Sequence, residues 1–383
     1  MACKQARDAL GVAHMMDGSA HRAEPPTRRI SLKCCATMLV LVAPSAAAVP
    51  QSARRLKRDA RRCTLLSVAQ VLKPGLSKDR AFDEALARVQ PADVPILSVL
   101  TADALRATRT LQFNATAAVW GLPFLPIGSH SCFWPQHGFR WLARSYAEAT
   151  AQLARRSPKQ VAVVMDSQDA FVQGTADEIR ASLRASGKPL MLVLETGCAK
   201  KRCTTPAPLP GEEANSSRLV GIPELIHING GVVVGEAHAL EVMWRFVGNN
   251  TYTGNRMFTL HSAQHRIGKF VQAHPELVAF DRTQTLAAVI NSPQSKRGDI
   301  LGGLDHEWTR YYDTERLHPP RSVAGLVVQE RVINRATRRA PCFVHVPGTQ
   351  EYKRTRGYMN KTMRAWDEIR RVLVPTSSHL VRS

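Results

Sequence analysis

The sequence predicts an α/β protein whose mostly parallel sheet is flanked by helices. Three observations carry this. Val161-Ala162-Val163-Val164-Met165 and Leu190-Met191-Leu192-Val193-Leu194 are apolar at every position, as strands covered on both faces are. Between them, Ala176–Ser186 has helical spacing and is closed by Gly187. The same alternation starts upstream, at the apolar run Pro95–Leu100.

Taken in order, residues 49–90 are basic and then helix-forming, at Arg54–Arg62 and Phe82–Val89, and read as a stem. Pro95–Leu100 reads as a buried strand ending at Thr101. Ala102–Gln112 is expected as a helix and Ala115–Trp120 as a second strand. Phe139–Ala154 is a long helix with Trp141, Leu142, Tyr146, Ala149 and Leu153 at apolar positions. After the strands at 161 and 190, residues 199–217 are rich in Pro, Ser, Thr and Lys and read as a loop.

The chain has 383 residues, 44% hydrophobic and 22% charged, which excludes wholesale disorder, collagen and coiled coil. No apolar run approaches the ~18–20 residues of a spanning helix, so no spanning membrane segment is expected. Lys+Arg 52 against Asp+Glu 31 give a net charge of +21. Residues 1–62 carry +8 of this and residues 331–383 carry +9, which leaves +4 for the middle. The basic ends read either as solvated tails or as contacts to acidic partners and anionic membrane surfaces. A protein that grips nucleic acid concentrates its basic excess on the folded face, so no nucleic-acid partner is expected.

Arg28–Lys33 is basic, Cys34–Ala43 is apolar, and Pro44 to Ala48 are small residues. That order matches a secretory signal cleaved after Ala48, with Met15 or Met16 as the start. It implies the endoplasmic reticulum or Golgi lumen, and the sequons at Asn114, Asn215, Asn249 and Asn360 agree with a glycoprotein. Cleavage would leave Cys63, Cys132, Cys198, Cys203 and Cys342, an odd number. Cys198 and Cys203 read as a disulfide or as plain buried thiols.

The strand Val161–Met165 runs into Asp166-Ser167-Gln168-Asp169. Two carboxylates on the loop leaving a parallel strand stand at the sheet edge where α/β proteins bind ligands. They suit Mg2+ or Mn2+, which would bridge the diphosphate of a nucleotide-sugar. Taken alone, the pair fits a helix cap and a loop brace better than a metal site.

The surroundings carry a resemblance. Asp166–Asp169 with Ala170-Phe171, Leu192–Cys198, Ile228-Asn229-Gly230-Gly231-Val232-Val233-Val234-Gly235, Leu304-Asp305-His306 and Val344-His345-Val346-Pro347-Gly348 occur in one order. Together they resemble the glycosyltransferase domain of the procollagen lysyl hydroxylases. The resemblance implies a GT-A glycosyltransferase fold with a Rossmann-like, mostly parallel mixed sheet over 91–355. By composition a 1–48 extension with signal and a 49–90 stem precede it, and a basic 356–383 tail follows. It implies Mn2+ held by Asp166, Asp169 and His345. Thr101 would contact the uridine, and Ser167 and Gln168 would lie near the nucleotide. Asn229, Gly230 and Gly231 would form a tight turn beneath the donor sugar. Gly348 would let the backbone approach the diphosphate, and Lys353 or Arg354 would offset its charge. The donor would be UDP-galactose or UDP-glucose, and the acceptor a hydroxyl of a protein or glycan, such as hydroxylysine.

Two departures stand out. The family's aspartate cluster reads Phe280-Asp281-Arg282-Thr283-Gln284 here, leaving Asp281 as the candidate base for an inverting reaction. The family's H-G-N-G loses a polar contact at Val346 and Pro347. No H-x-D with a distant His follows, so oxygenase activity is not expected. The alternative to an enzyme is a degenerate GT-A-like binding or scaffolding protein.

Overall fold

The computed structural model describes residues 80–100, 105, 108–128, 134–195, 227–249, 261–290, 308, 310–346 and 363–377. The chain divides into two units, Met1–Arg54 and Arg55–Ser383, and all described residues belong to the second. The signal at 28–48, the helix Arg54–Arg62, the loop 199–217 and Leu304–His306 lie outside the described residues. So do Cys63, Cys132, Cys198 and Cys203.

The elements, in order, are α1 (Arg80–Arg88), β1 (Ile96–Val99), α2 (Thr108–Val119), β2 (Phe124–Ile127), α3 (Trp134–Arg156), β3 (Val161–Met165), β4 (Ala170–Val172), α4 (Ala176–Ala185), β5 (Leu190–Glu195) and β6 (His227–Glu236). There follow α5 (Ala237–Asn249), α6 (His261–Ala273), β7 (Val278–Asp281), β8 (Ala287–Val289), β9 (Tyr312–Val323), β10 (Leu326–Asn334), β11 (Phe343–His345), α7 (Met363–Leu373) and β12 (Thr376–Ser377). The fold is mixed α/β, as the sequence predicts.

The main sheet has six strands in the order β2-β1-β3-β6-β5-β7. β1 pairs in parallel with β2 and β3, and β5 with β7; β6 runs antiparallel to both its neighbours. Because side chains alternate across a strand, the apolar runs split between two cores. Ala162, Val164, Leu190, Leu192 and Leu194 pack with α1, α3, α5, α6 and α7 on one face. Val163, Met165, Met191 and Val193 pack with α2 and α4 on the other. That is why these strands have no polar position.

α4 is set by its ends. Thr175 and Glu178 form a reciprocal capping box, and Gly187 takes φ +65 just beyond the C-terminus. The second predicted strand moves. Residues 115–119 belong to α2, where Ala115, Ala117 and Ala118 favour helix, and Gly121 at φ +72 closes that helix. The strand is instead Phe124–Ile127, where Pro126 faces Ser98. β2 is the edge of the sheet, the place where a proline's missing N–H is tolerated.

The folded unit is also wider than charge alone suggests. Phe82 and Leu86 of α1 are buried in the first core, within the stretch read as a stem. Ile369, Val372 and Leu373 of α7 are buried there too, an i, i+3, i+4 stripe inside the basic stretch read as a tail. Cys342 is a free, buried thiol, and burial pushes its pKa up.

A small second sheet, β4-β11-β8, abuts the end of β3. β11 runs antiparallel to β4 and parallel to β8. α2 is pinned to this sheet by the buried hydroxyl of Thr116, which accepts from Val172 N at 3.1 Å and donates to Phe113 O at 2.7 Å. Thr116 is the threonine of the first sequon.

Candidate metal and nucleotide site

The site forms where the two sheets meet. β3 delivers Asp166 at the C-terminal edge of the parallel strands, the position at which α/β sheets bind ligands. The chain then turns through Ser167 and Gln168 into β4. Ser98 Oγ of β1 donates to Ser167 Oγ at 2.9 Å, and both serines are buried. Gln168 N donates to Asp166 Oδ1 at 3.3 Å. The phenol of Tyr146 on α3 accepts from Val99 N at 3.2 Å, which fixes the end of β1.

His345 arrives by strand register. It stands opposite Ala170 in β4 and Val289 in β8, so it falls beside Asp169. Val346 N donates to Asp169 O at 2.7 Å, and Ile290 N donates to His345 O at 2.8 Å. His345 Nε2 then lies 3.1 Å from Asp169 Oδ1, across 176 positions of sequence. One ligand atom each from Asp166, Asp169 and His345 lies within 4.8 Å of the others. Asp169 and His345 are buried, while Asp166 is exposed at the mouth.

The charges are uneven. Protein mass around the Asp166 carboxyl, and then the Asp169 carboxylate, push the Asp166 pKa up to about 6, with His345 pulling it down. Water at the exposed edge of Asp166 screens part of that repulsion. Burial opposes protonation of His345, but Asp169, bonded to it, together with Asp166 and Glu195, raises its pKa above the usual imidazole range. The cluster therefore attracts positive charge. His345 Nδ1 is buried without a hydrogen-bond partner among the described residues, and two carboxylates with an imidazole suit Mn2+ or a similar divalent ion. The residues present fit a metal.

The glycines and Asn229 of the predicted tight turn sit elsewhere in the geometry. They lie inside β6, not in a turn. Val233 stands opposite Leu192 and Asn229 opposite Val193, so Gly230, Gly231 and Val232 bulge out against one step of β5. Gly231 O accepts from Asp166 N at 2.8 Å. A Cβ on Gly231 would stand 2.3 Å from His345 Cε1, so the missing side chain is what lets the ring lie there. Asn229 is buried, and its amide bridges Glu195 Oε2 (3.0 Å) and Gly231 N (2.8 Å).

Asp281, the acceptor base suggested by the sequence, has both its oxygens bonded within a turn. It is buried, and its Oδ1 accepts from Thr285 N (2.9 Å) and Thr285 Oγ1 (3.2 Å). Its Oδ2 accepts from Leu286 N (2.8 Å) and Ala287 N (3.0 Å). Burial raises its pKa against the pull of those donors. Both oxygens thus close the turn from β7 into β8. Gln284, its neighbour in the sequence motif, takes φ +51 in that turn and bonds the Tyr312 hydroxyl at 2.9 Å. Thr101, Gly348, Lys353 and Arg354 lie outside the described residues.

Three residues passed over as site members by the sequence reading stand at the site. Glu195, the last residue of β5, is a buried carboxylate within electrostatic reach of His345. Gln264 on α6 donates to Glu195 Oε1 at 2.6 Å and also to Ile228 O. Arg109 on α2 is within electrostatic reach of Asp169 and of Arg370 on α7. An acid ending a buried strand is a usable sequence signal; Gln264 and Arg109 carry none.

No family model matches the chain, and no curated protein matches it. Solved chains do match, 103 of them. One is the crystal structure of a glycosyltransferase involved in the glycosylation of the major capsid of PBCV-1, at 16% identity and a TM-score of 0.35. That match covers 68% of this chain and 96% of the other. A likeness this loose assigns no activity, and none of these comparisons supports the procollagen lysyl hydroxylase family in particular. No helix among the described residues is long and apolar enough to cross a membrane.

Proposed function

We propose that the protein is a GT-A-type, Mn2+-dependent glycosyltransferase that moves galactose or glucose from a UDP-sugar to a hydroxyl of a protein or glycan in the lumen of the secretory pathway. The observation that carries this reading is the convergence of Asp166, Asp169 and His345 at the C-terminal edge of the sheet. The motif resemblance supplies the sugar chemistry, and the basic-apolar-small segment at 28–48 supports the compartment.

In this reading Asp166, Asp169 and His345 hold the divalent ion, which when bound stabilises the charge developing on the departing diphosphate. Arg109 brings positive charge into reach of Asp169 and would serve the same phosphates. The buried Ser98–Ser167 bond stiffens the loop that presents both carboxylates. With both oxygens engaged in its turn, Asp281 leaves the acceptor proton to another group, or to a retaining route that needs no protein base.

The test is turnover of UDP-galactose and UDP-glucose with Mn2+, by wild type and Asp169→Ala. Sugar release or transfer by wild type, lost in the variant, is expected. Turnover unaffected by the substitution would refute the metal assignment. The engagement of Asp281 favours a second reading, a nucleotide-sugar-binding protein without transfer. It is separated by Mn2+-dependent UDP binding in the absence of turnover with any donor.

A further inference from the structure

We propose that Glu195 and Asn229 are positioning residues of the metal centre, setting the β6 bulge so that Gly231 meets Asp166 with its carbonyl and His345 with its bare Cα. The proposal rests on reading Asp166, Asp169 and His345 as a metal site.

Glu195, Asn229, Gly231, Asp166 and His345 form one chain of contacts. Glu195 Oε2 accepts from Asn229 Nδ2 at 3.0 Å, and Asn229 Oδ1 accepts from Gly231 N at 2.8 Å. Gly231 O accepts from Asp166 N at 2.8 Å, and the Gly231 Cα lies against the His345 ring. The polarity of the chain is forced. A carboxylate only accepts and a backbone N–H only donates, so the Asn229 amide has one orientation that satisfies both neighbours. Glu195 fixes that orientation. The carboxylate is itself held from the other side by Gln264 Nε2 at 2.6 Å, which ties α6 into the same chain.

Burying a carboxylate and an amide at the edge of a sheet is costly unless each is bonded. A strand bulge needs no such pair to form. What the pair adds is a fixed depth for Gly231, and with it fixed positions for one acidic ligand and the imidazole. Metal sites depend on such outer groups, whose loss typically weakens metal binding by about 10- to 100-fold.

The forced polarity supplies the test. Glu195→Gln sets an amide donor against the Asn229 donor. Asn229→Asp sets a second carboxylate against Glu195. Combining them restores an unbroken chain. In the double variant the new amide on β5 donates to the new carboxylate on β6, which still accepts from Gly231 N, so the charge has only changed places. Mn2+ affinity by calorimetry and apo melting temperature would be measured for wild type, both single variants and the double variant. Each single variant is expected to lose about 10-fold or more in Mn2+ affinity, with the double within about 3-fold of wild type. Single variants that melt lower but bind Mn2+ as wild type does would show a merely structural role and overturn the proposal. So would a double variant as weak as the two losses combined. If a single variant fails to fold, the double decides: near wild-type affinity supports the chain, and lost affinity overturns it. Wild type that binds no Mn2+ would bring down the metal reading itself, and this proposal with it.

Discussion

Replacing Gly231 by alanine would place a methyl carbon 2.3 Å from His345 Cε1 and 3.0 Å from each ring nitrogen. To reach an ordinary contact of ~3.4 Å the ring must retreat by roughly 1 Å. It has little room to do so. His345 is 2% exposed, its backbone is paired on both sides, and its Nε2 bonds Asp169. Overpacking of this kind costs about 1–3 kcal/mol. Metal–ligand distances tolerate only about 0.2 Å, so a ring displaced by that much no longer serves as a ligand. The adjacent position is a built-in control. A Cβ on Gly230 would meet Ile267 Cδ1 at 3.5 Å and Gln264 Cα at 3.9 Å, both ordinary contacts. Melting curves and Mn2+ titration calorimetry of the two alanine variants should therefore diverge. Gly231→Ala is expected to melt several degrees lower and to lose Mn2+ affinity by about 100-fold, while Gly230→Ala stays near wild type. A Gly231→Ala protein with wild-type melting and wild-type Mn2+ affinity would refute the packing argument.

Acid should release the metal. Asp166, with its pKa pushed up to about 6, and His345, raised above its usual range, must both lose their protons to bind. Both raised values act in the same sense, since protons compete more strongly with metal as pH falls. The apo protein gains stability from this cluster toward acid, because the folded state takes up those protons more readily than the unfolded chain. The stabilisation by Mn2+ runs the other way, so the Mn2+-induced rise in melting temperature should be clearly larger at about pH 8 than at about pH 5. A Mn2+ shift of equal size at both values would contradict the assignment. Asp281→Ala should unfold more easily by about 2–4 kcal/mol in urea, because it strands three buried or half-buried backbone N–H groups and a hydroxyl. Its Mn2+ affinity at a temperature where it stays folded should match wild type; a selective loss of Mn2+ binding would place Asp281 at the site after all.

How legible each part is depends on how local its cause is. Val161–Met165 and Leu190–Leu194 are readable because a strand buried on both faces admits no polar residue, whatever lies around it. Asp166 and Asp169 are readable because they follow such a strand directly. His345 is tied to them only through the resemblance, since its place depends on β11 pairing with β4 across 176 positions. No periodicity records that register. Phe124–Ile127 is hidden by Pro126, which excludes a central strand but not an edge one. Asn229-Gly230-Gly231 is a turn only by the resemblance, and two neighbouring strands hold it as a bulge. Asp281 shows the remaining gap: the sequence names an acid but not which donors its oxygens face.

The most direct measurement is anomalous scattering from crystals soaked in Mn2+. One peak is expected, within bonding distance of an Asp166 oxygen, an Asp169 oxygen and a His345 nitrogen, and absent from crystals of Asp169→Ala. Soaked wild-type crystals with no peak there, or with peaks only at surface carboxylates, would contradict the account.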